Sequence, residues 1–471
     1  MSDMQWQPTN EQIEQQKKAV FGPNPSVHLN RPCKINEGIL RIESEERTQL
    51  IKYFDKRQPQ LTFFIPASGS GSRMLEFLYV FQSLAENEIE PMMERFLNSL
   101  EEFAFFRQLP ETVRASIQQE GIDLGNLIDS ILNPSGLNLG QSPKGLIPFH
   151  KVGPFILTPL QEHLIQGCLL TQSNPNFHFT IQREFEEEFQ RIIQSTTALS
   201  GTAYNVEFSE QSIQSNSVAF TDDGEPARNK NNEIITRPSG HGALLPLLNT
   251  IESEVILIKN IDNIQHYTKS TESVEIWKVL SGLLLQFRNE AKALHMNPSI
   301  KGLIELNDKY QLFDSKELEN VHDEEAIRKL IDRPTRVCGM VKNEGQPGGG
   351  PFWIERSGKI TKQIVEKAQI SSDSNQRSLL LRSTHFNPVM IALSPLSLEA
   401  TKFDLMKYRD ENTYFIVKKT SEGQNIRYIE QPGLWNGSMA NWNSIFVEIP
   451  NSVFSPVKTI LDLLDPLHKP H

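Results

Sequence analysis

The chain has 471 residues, which is long enough for two or three domains with a substantial hydrophobic core. Its net charge of -11 and its isoelectric point near 5.6 argue against a protein that coats nucleic acid, although a local basic pocket for phosphates is compatible with them. We therefore expect small-molecule substrates, no nucleic-acid partner, and a monomer or small homo-oligomer.

Cysteine usage and the first residues of the chain indicate the compartment. Cys33, Cys168 and Cys338 stand far apart and form no Cys-x-x-Cys pair, so neither a disulfide framework nor a zinc cage is indicated. Residues 1–16 are polar and lack the apolar core of a signal peptide, and no apolar run is long enough to span a bilayer. These features predict a cytoplasmic protein without a membrane partner.

Residues 1–60 are predicted to form an N-terminal arm of helices and loops. Asn10 is expected to cap a helix that runs to about Val20, and Ser44 a second helix that runs to about Phe54. A stretch rich in proline, glycine and asparagine separates the two helices. The arm carries no recognisable chemistry, and we expect it to pack on the main domain.

Residues 61–65 are predicted to form a buried strand, after which a turn rich in serine and glycine leads to Arg73 and then to a helix. Because glycines lack a Cβ, successive amide groups of this turn can face one concavity, to which the serine hydroxyls and Arg73 add donors and charge. Such a turn suits a polyphosphate, but similar turns often carry no ligand, and this one matches neither a P-loop nor a Rossmann fingerprint. The turn residues are Ser68, Gly69, Ser70, Gly71 and Ser72.

Long helices are predicted after this turn. Apolar residues recur at helical spacing over 89–106 and again over 122–132, which indicates a helical insertion over residues 75–140. A stripe of methionine and phenylalanine is far more often core than a cofactor site. We therefore interpret the insertion as a packing element.

Strand and helix alternate from residue 157 to about residue 265, which favours an α/β layer with a mostly parallel sheet. Ligands of such sheets bind at the carboxyl ends of the strands. Beyond residue 333 the chain returns to strands, predicted at 335–341, 364–366, 379–382 and 445–449. These fit a second half of the same sheet and a C-terminal subdomain.

Three loops carry groups that a phosphate site at these strand ends would use. Lys144 is held between a proline and a glycine, and it is either a fixed charge for a phosphate or an ordinary surface lysine. Residues 237–242 form a second glycine turn. Asp262 follows a buried strand and is flanked by asparagines, so it either offers an oxygen to Mg²⁺ or closes an Asx turn.

Several motifs, in this order, resemble those of sugar-1-phosphate nucleotidyltransferases, most closely the UDP-sugar pyrophosphorylases. The closest overall resemblance, over nearly the whole chain, is to a family known as a domain of unknown function and similar to those enzymes. The motifs are Gly69-Ser-Gly-Ser-Arg-Met, Ser142-Pro-Lys, Phe208-Ser-Glu-Gln, Pro238-Ser-Gly-His-Gly, Asn260-Ile-Asp-Asn, Gly348-Gly-Gly-Pro-Phe-Trp with Ile364-Val-Glu, Thr384-His-Phe-Asn-Pro and Phe454-Ser-Pro-Val-Lys.

The resemblance implies a nucleotide-diphospho-sugar transferase-like (Rossmann-like) α/β fold, with a mixed sheet flanked by helices, a helical insertion and a C-terminal subdomain. The expected domains are the arm 1–60, a catalytic domain 61–400 that contains the insertion 75–140, and a C-terminal subdomain 401–471. The implied reaction joins a nucleoside triphosphate, with UTP the first candidate, to a sugar 1-phosphate and releases pyrophosphate in the presence of Mg²⁺.

The resemblance also implies roles for single residues. The turn from Ser68 to Ser72 would hold the triphosphate, and Arg73, Lys144 and Lys458 would be the catalytic cations. Asp262 would bind Mg²⁺. Base recognition would involve Gln211, Pro238, Gly240, His241 and Gly242, and the sugar would contact Asn260, Glu366 and Asn387.

Two departures from the family pattern support an alternative function. The first loop lacks the usual Gly-Thr after its glycines, and the insertion before Lys144 is larger than the usual connection. A protein with the same fold and this altered loop could bind a sugar nucleotide or a sugar phosphate without turnover, because fold does not determine function.

Overall fold

A computed structural model describes residues 6–23, 25–83, 91–118, 123–172, 174–345, 348–356, 358–421 and 423–470. Residues 84–90 and 119–122 of the predicted helical insertion lie outside the described residues. No helix among the described residues is long and apolar enough to cross a membrane.

The α-helices are α1 (Asn10–Phe21), α2 (Ser44–Arg57), α3 (Glu76–Ser83), α4 (Pro91–Asn98), α5 (Glu111–Gln118), α6 (Leu124–Leu132), α7 (Pro159–Cys168), α8 (Glu186–Ser200), α9 (Leu245–Leu248), α10 (Thr271–Met296), α11 (Ile300–Tyr310), α12 (Ser315–Glu319), α13 (Glu324–Ile331) and α14 (Ser374–Leu381). Short 3-10 turns connect many of them.

The strands are β1 (His28–Pro32), β2 (Lys34–Ile35), β3 (Gly38–Leu40), β4 (Leu61–Pro66), β5 (His150–Val152), β6 (Phe155–Leu157), β7 (Asn176–Thr180), β8 (Asn205–Ser209), β9 (Ser217–Val218), β10 (Thr236–Arg237), β11 (Val255–Lys259), β12 (Thr335–Lys342), β13 (Gly350–Arg356), β14 (Lys359–Val365), β15 (His385–Phe386), β16 (Met390–Ser394), β17 (Phe415–Ser421), β18 (Gln424–Glu430) and β19 (Asn443–Glu448).

The chain divides into two compact units. Unit 1 comprises Met1–Phe54, Gln211–Leu257 and Val279–Ile449, and unit 2 comprises Asp55–Glu210, Ile258–Lys278 and Pro450–His471. Strand β11 runs across the division, because Leu257 belongs to unit 1 and Ile258 to unit 2.

Unit 1 is built on a mixed sheet. Strands β3, β19 and β12 are parallel, and β16 pairs with β12 in the antiparallel direction. A separate antiparallel sheet has the order β1, β13, β14, and β17 forms a hairpin with β18. The mixed direction of the strands confirms the predicted α/β class with a mixed sheet.

Unit 2 contains three parallel strands in the order β4, β7, β8, and their registers pair Thr62 with Asn176 and Phe177 with Val206. Helices α3 to α8 accompany them. The described part of the predicted insertion is helical, as expected, and buries the residues that recur at helical spacing, such as Phe96, Phe103 and Leu127. The strands predicted near 61–65, 177–182 and 204–208 are confirmed as β4, β7 and β8.

Two sequence-based predictions of secondary structure are wrong. The arm 1–60 contains β1, β2 and β3 besides its helices, because residues far along the chain supply the pairing, as His28 pairs with Glu355. Residues 379–382 are not a strand but the end of α14, whose first turn is capped by the Asp373 carboxylate. A short run of leucines is compatible with either structure, and the cap decides for the helix.

The cap predicted for the first helix is also misplaced. Thr9 is the N-cap of α1, and its hydroxyl accepts a hydrogen bond from the Gln12 amide at 3.2 Å. The Gln12 side chain in turn accepts from the Thr9 amide at 2.9 Å, which completes a capping box. Asn10 is the first helical residue instead.

Candidate active site

The serine and glycine turn follows β4 directly in unit 2. Gly71 packs so closely against the next segment that a Cβ there would collide with Cδ1 of Ile147, whereas a Cβ at Gly69 would meet no atom within 4 Å. Neither glycine has a positive φ, so the requirement at Gly71 is one of space. Gly69 and Ser70 are exposed, and their side of the turn is open.

Two of the turn amides are already used within the protein. The Gly71 amide donates to the Ser142 carbonyl at 2.9 Å, and the Ser72 amide donates to the Ser70 hydroxyl at 3.1 Å. Arg73 is exposed and forms no hydrogen bond or ion pair with any described residue. The turn therefore offers an unpaired guanidinium and only part of the amide cradle that the sequence suggests.

Lys144 is fixed to this turn through its backbone. Its amide donates to the Gly69 carbonyl at 3.1 Å, and Ser70 forms a β-bridge with Pro143. The Lys144 side chain is only 13% exposed. The lysine therefore does not behave as an ordinary surface lysine, and its backbone lies beside the turn.

Asp262 accepts hydrogen bonds from both lysines that the sequence predicts for the site. Its Oδ2 atom accepts from Nζ of Lys144 at 2.6 Å and from Nζ of Lys458 at 3.0 Å. The Asn263 amide donates to the Asn260 carbonyl at 3.1 Å, which closes the turn that presents the carboxylate. Three residues that are distant in sequence thus share one buried contact.

Lys458 reaches this position on a segment that is docked by its backbone. The Val457 amide donates to the Asp262 carbonyl at 2.9 Å, and the Ser455 amide donates to Oδ1 of Asn263 at 3.0 Å. Val457 and Ile460 are buried in the same hydrophobic core as the helical insertion. The insertion therefore supports the segment that carries Lys458.

The charges around Asp262 determine its ionisation. Burial opposes ionisation, but the ammonium groups of Lys458 and Lys144 outweigh it and hold the pKa of the Asp262 carboxyl below its ordinary value. The carboxylate is 6% exposed, and its Oδ1 atom is buried without a hydrogen-bond partner in the described residues. Asp262 is therefore an anion with one unused oxygen.

The donor set around Asp262 can be tested against the Mg²⁺ that the resemblance implies. No group of three His, Cys, Asp or Glu side chains among the described residues could form a protein cage for a metal ion. Mg²⁺ bound with phosphates commonly takes only one or two carboxylates from the protein. The unused Oδ1 of Asp262 fits that mode. The two lysines on Oδ2 would compete with Mg²⁺ for the negative charge of the same carboxylate.

A chain of buried polar groups near the C-terminus was not predicted from the sequence. Nδ1 of His150 lies 2.6 Å from Glu162 Oε1, and Nε2 of His150 lies 2.9 Å from Nδ1 of His468. Burial lowers the pKa of His150 to about 3 and raises that of Glu162 to about 7. These hydrogen-bonded side chains anchor the C-terminal segment. No local sequence signal reveals them, because His150 and His468 are far apart in the sequence.

The residues predicted for base and sugar recognition lie in unit 1, except Asn260. His241 stacks on Trp435 with ring centroids 4.0 Å apart, and its Nε2 lies 3.6 Å from Oε1 of Glu366. Gly240 has φ +72°, and a Cβ there would lie 2.8 Å from Oε2 of Glu430. The structure therefore brings His241, Gly240 and Glu366 to one locality, which also contains Trp435 and Glu430.

The other predicted residues of unit 1 have separate contacts. Gln211 donates from Nε2 to the Ser215 hydroxyl at 3.2 Å. Asn387 is 4% exposed, its Oδ1 accepts from the Val389 amide at 3.1 Å, and its Nδ2 has no partner among the described residues. Pro238 is exposed, and Gly242 packs against the Pro432 carbonyl.

Fold and site together define an α/β protein with a candidate anion site, in which one buried carboxylate positions two lysines beside a serine and glycine turn. The chain belongs to the family described as "Domain of unknown function (DUF4301)", which matches residues 2–469. The expectation of a domain-of-unknown-function family is thereby confirmed. None of the curated proteins matches the sequence.

Two solved structures from Trypanosoma brucei are similar to this chain. UDP-glucose phosphorylase is 14% identical with a TM-score of 0.46, and the match covers 94% of this chain and 71% of that one. Uridine diphosphate N-acetylglucosamine pyrophosphorylase, solved in complex with an inhibitor, is 13% identical with a TM-score of 0.47, and the match covers 92% and 72%.

Proposed function

We propose that the protein is a cytoplasmic nucleotidyltransferase that joins a nucleoside triphosphate, with UTP the first candidate, to a sugar 1-phosphate and releases pyrophosphate. The observation that carries this proposal is the contact of Lys144 and Lys458 with Oδ2 of Asp262, at 2.6 and 3.0 Å, beside the turn that ends in Arg73. Cations gathered at one point are what a reaction between two anions requires.

The reacting groups need alignment and charge compensation more than covalent help. The phosphate oxygen of the sugar 1-phosphate attacks the α-phosphate, the bond from that phosphorus to the bridging oxygen breaks, and pyrophosphate leaves with the electron pair. Arg73 is exposed and has no side-chain partner in the described part of the chain, so it would bind the leaving pyrophosphate together with Lys144. Lys458, whose side chain is 53% exposed, would contact the transferred phosphate.

Mg²⁺ held by Asp262 would neutralise charge on the α-phosphate and the sugar phosphate. The buried Oδ1 of Asp262 supports this assignment because it has no partner among the described residues. The carboxylate also keeps both lysines in place before substrates bind. Its own charge is preserved because the lysines lower the pKa of the Asp262 carboxyl against the effect of burial.

The resemblance assigns recognition of the base and the sugar to a second group of residues. Gln211 and the backbone around Gly240 would contact the base, and the stacked pair of His241 and Trp435 adds a flat apolar surface. The Glu366 carboxylate would accept hydrogen bonds from sugar hydroxyls, and Nδ2 of Asn387 would donate one to a sugar hydroxyl. The buried Nδ2 of Asn387 supports a ligand role because it has no partner in the described part of the chain.

A second candidate function is binding of a sugar nucleotide without turnover. The engagement of the Gly71 and Ser72 amides with Ser142 and Ser70 favours it, because those amides are not available to a triphosphate in this arrangement. An enzyme of this kind would need the turn to rearrange when substrate binds.

Pyrophosphate release distinguishes the two candidates. The protein is incubated with Mg²⁺, each of UTP, ATP, GTP and CTP, and a panel of sugar 1-phosphates, and calorimetry measures nucleotide binding in parallel. We expect pyrophosphate with one nucleotide and one or a few sugars, and loss of it in Lys144→Met. Binding without pyrophosphate over the whole panel supports the binding protein, and no binding of any triphosphate at millimolar concentration contradicts the nucleotidyltransferase.

A further inference from the structure

Unit 1 contains a cavity of about 310 Å³ that has no residue in common with the candidate active site. Strand β14 lines it with residues from Lys359 to Gln363, and residues 440–444 at the start of β19 line it as well. The rest of the lining comes from residues 312–317 and from the turns around Arg333 and Tyr408. The walls are regular elements and their connections, so the shape of the cavity is set by the fold.

Four cations and one carboxylate line this cavity, so its lining is strongly positive. The cations are Arg333, Lys359, Lys362 and Lys407, and the carboxylate is Glu317. Lys362 is buried and already donates to the carbonyl oxygens of Gln311 at 2.6 Å and Gly38 at 3.2 Å.

The other cations are poorly compensated. Nη1 of Arg333 lies 3.8 Å from Oε1 of Glu317, which is beyond hydrogen-bonding distance, and the Arg333 guanidinium donates no hydrogen bond to any described residue. Lys359 has no ion-pair partner among those residues, and Lys407 is 4.0 Å from Asp404 on its own turn. A guanidinium has five donors that match a phosphate or carboxylate, so an unused one lining a cavity indicates an anionic ligand.

Polar and aromatic residues also line the cavity. Gln363, Trp442 and Asn443 each have a buried polar atom without a hydrogen-bond partner among the described residues. Buried polar groups are normally paired, so these side chains have hydrogen-bonding capacity left for a ligand. Together with Tyr408, they give the lining polar groups and rings that suit the hydroxyls and the C–H face of a sugar.

A second cavity of about 230 Å³ adjoins the first one. It shares Lys359, Thr361 and Gln363 with it, and it also contains Arg356, which is ion-paired with Asp410. Asn436 also lines the second cavity, and its Oδ1 is buried without a hydrogen-bond partner among the described residues. Lys359 therefore lies where the two cavities meet and is able to contact a ligand that extends from one into the other.

We propose that this double cavity is a second ligand site of the protein and that it binds a sugar phosphate. Arg333, Lys359 and Lys407 bind the phosphate, and Gln363 and Asn443 accept hydrogen bonds from the sugar hydroxyls. The site goes beyond the proposed nucleotidyltransferase reaction and does not depend on it, because it uses none of the residues assigned to that reaction.

Calorimetric titration of the full chain with glucose 6-phosphate, without nucleotide or metal, tests the site. Glucose 6-phosphate has no phosphate at position 1, so it is not a substrate of the proposed reaction. We expect binding that weakens about tenfold or more in the double variant Lys359→Met, Lys407→Met, because two charge-assisted contacts are lost. The exposed pair Lys418→Met, Lys419→Met on β17 is the charge-matched control and should bind like the wild type.

Further titrations identify which part of the ligand is recognised and at which site it binds. Lys144→Met should retain binding, and loss of binding there together with retention in the Lys359, Lys407 double variant would place the anion at Asp262 and overturn the proposal. Glucose alone and inorganic phosphate should each bind more weakly than glucose 6-phosphate. Equal affinity for either of them, tighter binding of glucuronate, or no binding of glucose 6-phosphate at millimolar concentration would also overturn it.

Discussion

Nζ of Lys458 lies 3.0 Å from Oδ2 of Asp262, although 196 residues separate the two in sequence. Because Lys144 donates to the same oxygen at 2.6 Å, one carboxylate determines the position of two ammonium groups. The carboxylate is buried, so neither lysine can be displaced from it by bulk water without cost. This arrangement predicts effects of substituting Asp262 and Lys458.

Asp262→Asn should lower the rate of pyrophosphate release about 100-fold or more, because it removes the charge that holds both lysines and the proposed metal. It should also lower the free energy of unfolding by about 3 kcal/mol, since Lys144 loses its anionic partner in a buried position. Steady-state kinetics and thermal unfolding measure the two effects.

Asp55→Asn is the matched control for that substitution. It removes the carboxylate of an exposed pair with Lys278, whose atoms are 2.8 Å apart, and exposed pairs contribute little to stability. Equal kinetics in Asp262→Asn and the wild type would mean that the carboxylate has no part in the reaction.

Lys458→Met should lower kcat by about 100-fold while the apparent affinity for nucleotide changes by less than about threefold, because the charge that it meets grows towards the transition state. Lys469→Met is the control, since that lysine lies on the same C-terminal segment and pairs with Glu102. A rise in KM without a change in kcat would assign Lys458 to ground-state binding instead.

Gly71→Ala and Gly69→Ala should differ in their effect on the fold. A Cβ at position 71 collides with Ile147, and we expect a loss of about 1 to 3 kcal/mol in the free energy of unfolding, as is usual for overpacking. Position 69 has no atom within 4 Å of an added Cβ, so stability should not change there. Denaturant unfolding compares the two variants.

Nucleotide affinity gives the second readout for Gly69→Ala. If the turn binds phosphate from its open side, the added methyl group reduces the affinity for the triphosphate in a protein of unchanged stability. Unchanged affinity in this variant would argue that the triphosphate does not contact the turn.

The buried histidines should make stability depend on pH. Burial lowers the pKa of His150 to about 3, and burial together with the charge of His150 lowers that of His468 to about 4. Both values lie below the ordinary histidine pKa of about 6.5, so the unfolded chain binds more protons between these values. Stability contributed by the neutral histidines is present above about pH 6.5 and is lost as the pH falls towards 4.

The slope of Tm against pH between roughly 4.5 and 7 contains this contribution together with an opposite one from Glu162, because the raised pKa of about 7 makes the folded chain bind the extra proton there. His468→Asn should reduce the slope, because one of the two shifted groups is removed. His322→Asn, at an exposed position, should leave it as in the wild type. An unchanged slope in His468→Asn would show that this histidine does not couple to folding.

Local sequence signals determined the regular elements of unit 2 and the residue types of the site. The buried run of β4 and the alternation up to β8 predict the strands because side-chain periodicity reports which faces are buried. The same signals do not identify β1, since its partner β13 lies more than 300 residues away and the pairing depends on the folded chain. The leucines of α14 are ambiguous for another reason, since a short apolar run fits a helix or a strand, and the Asp373 cap decides for the helix.

The sequence by itself also placed Arg73, Lys144, Asp262 and Lys458 among the candidate residues, through the order of their motifs. Only the tertiary structure decided that both lysines share one oxygen of Asp262, that the Gly71 and Ser72 amides are already bonded, and that His150, Glu162 and His468 form a chain. Residue type and spacing encode chemical capacity, but distance, burial and the competition for each donor arise only when remote segments pack together, because those quantities depend on neighbours that the local sequence does not contain.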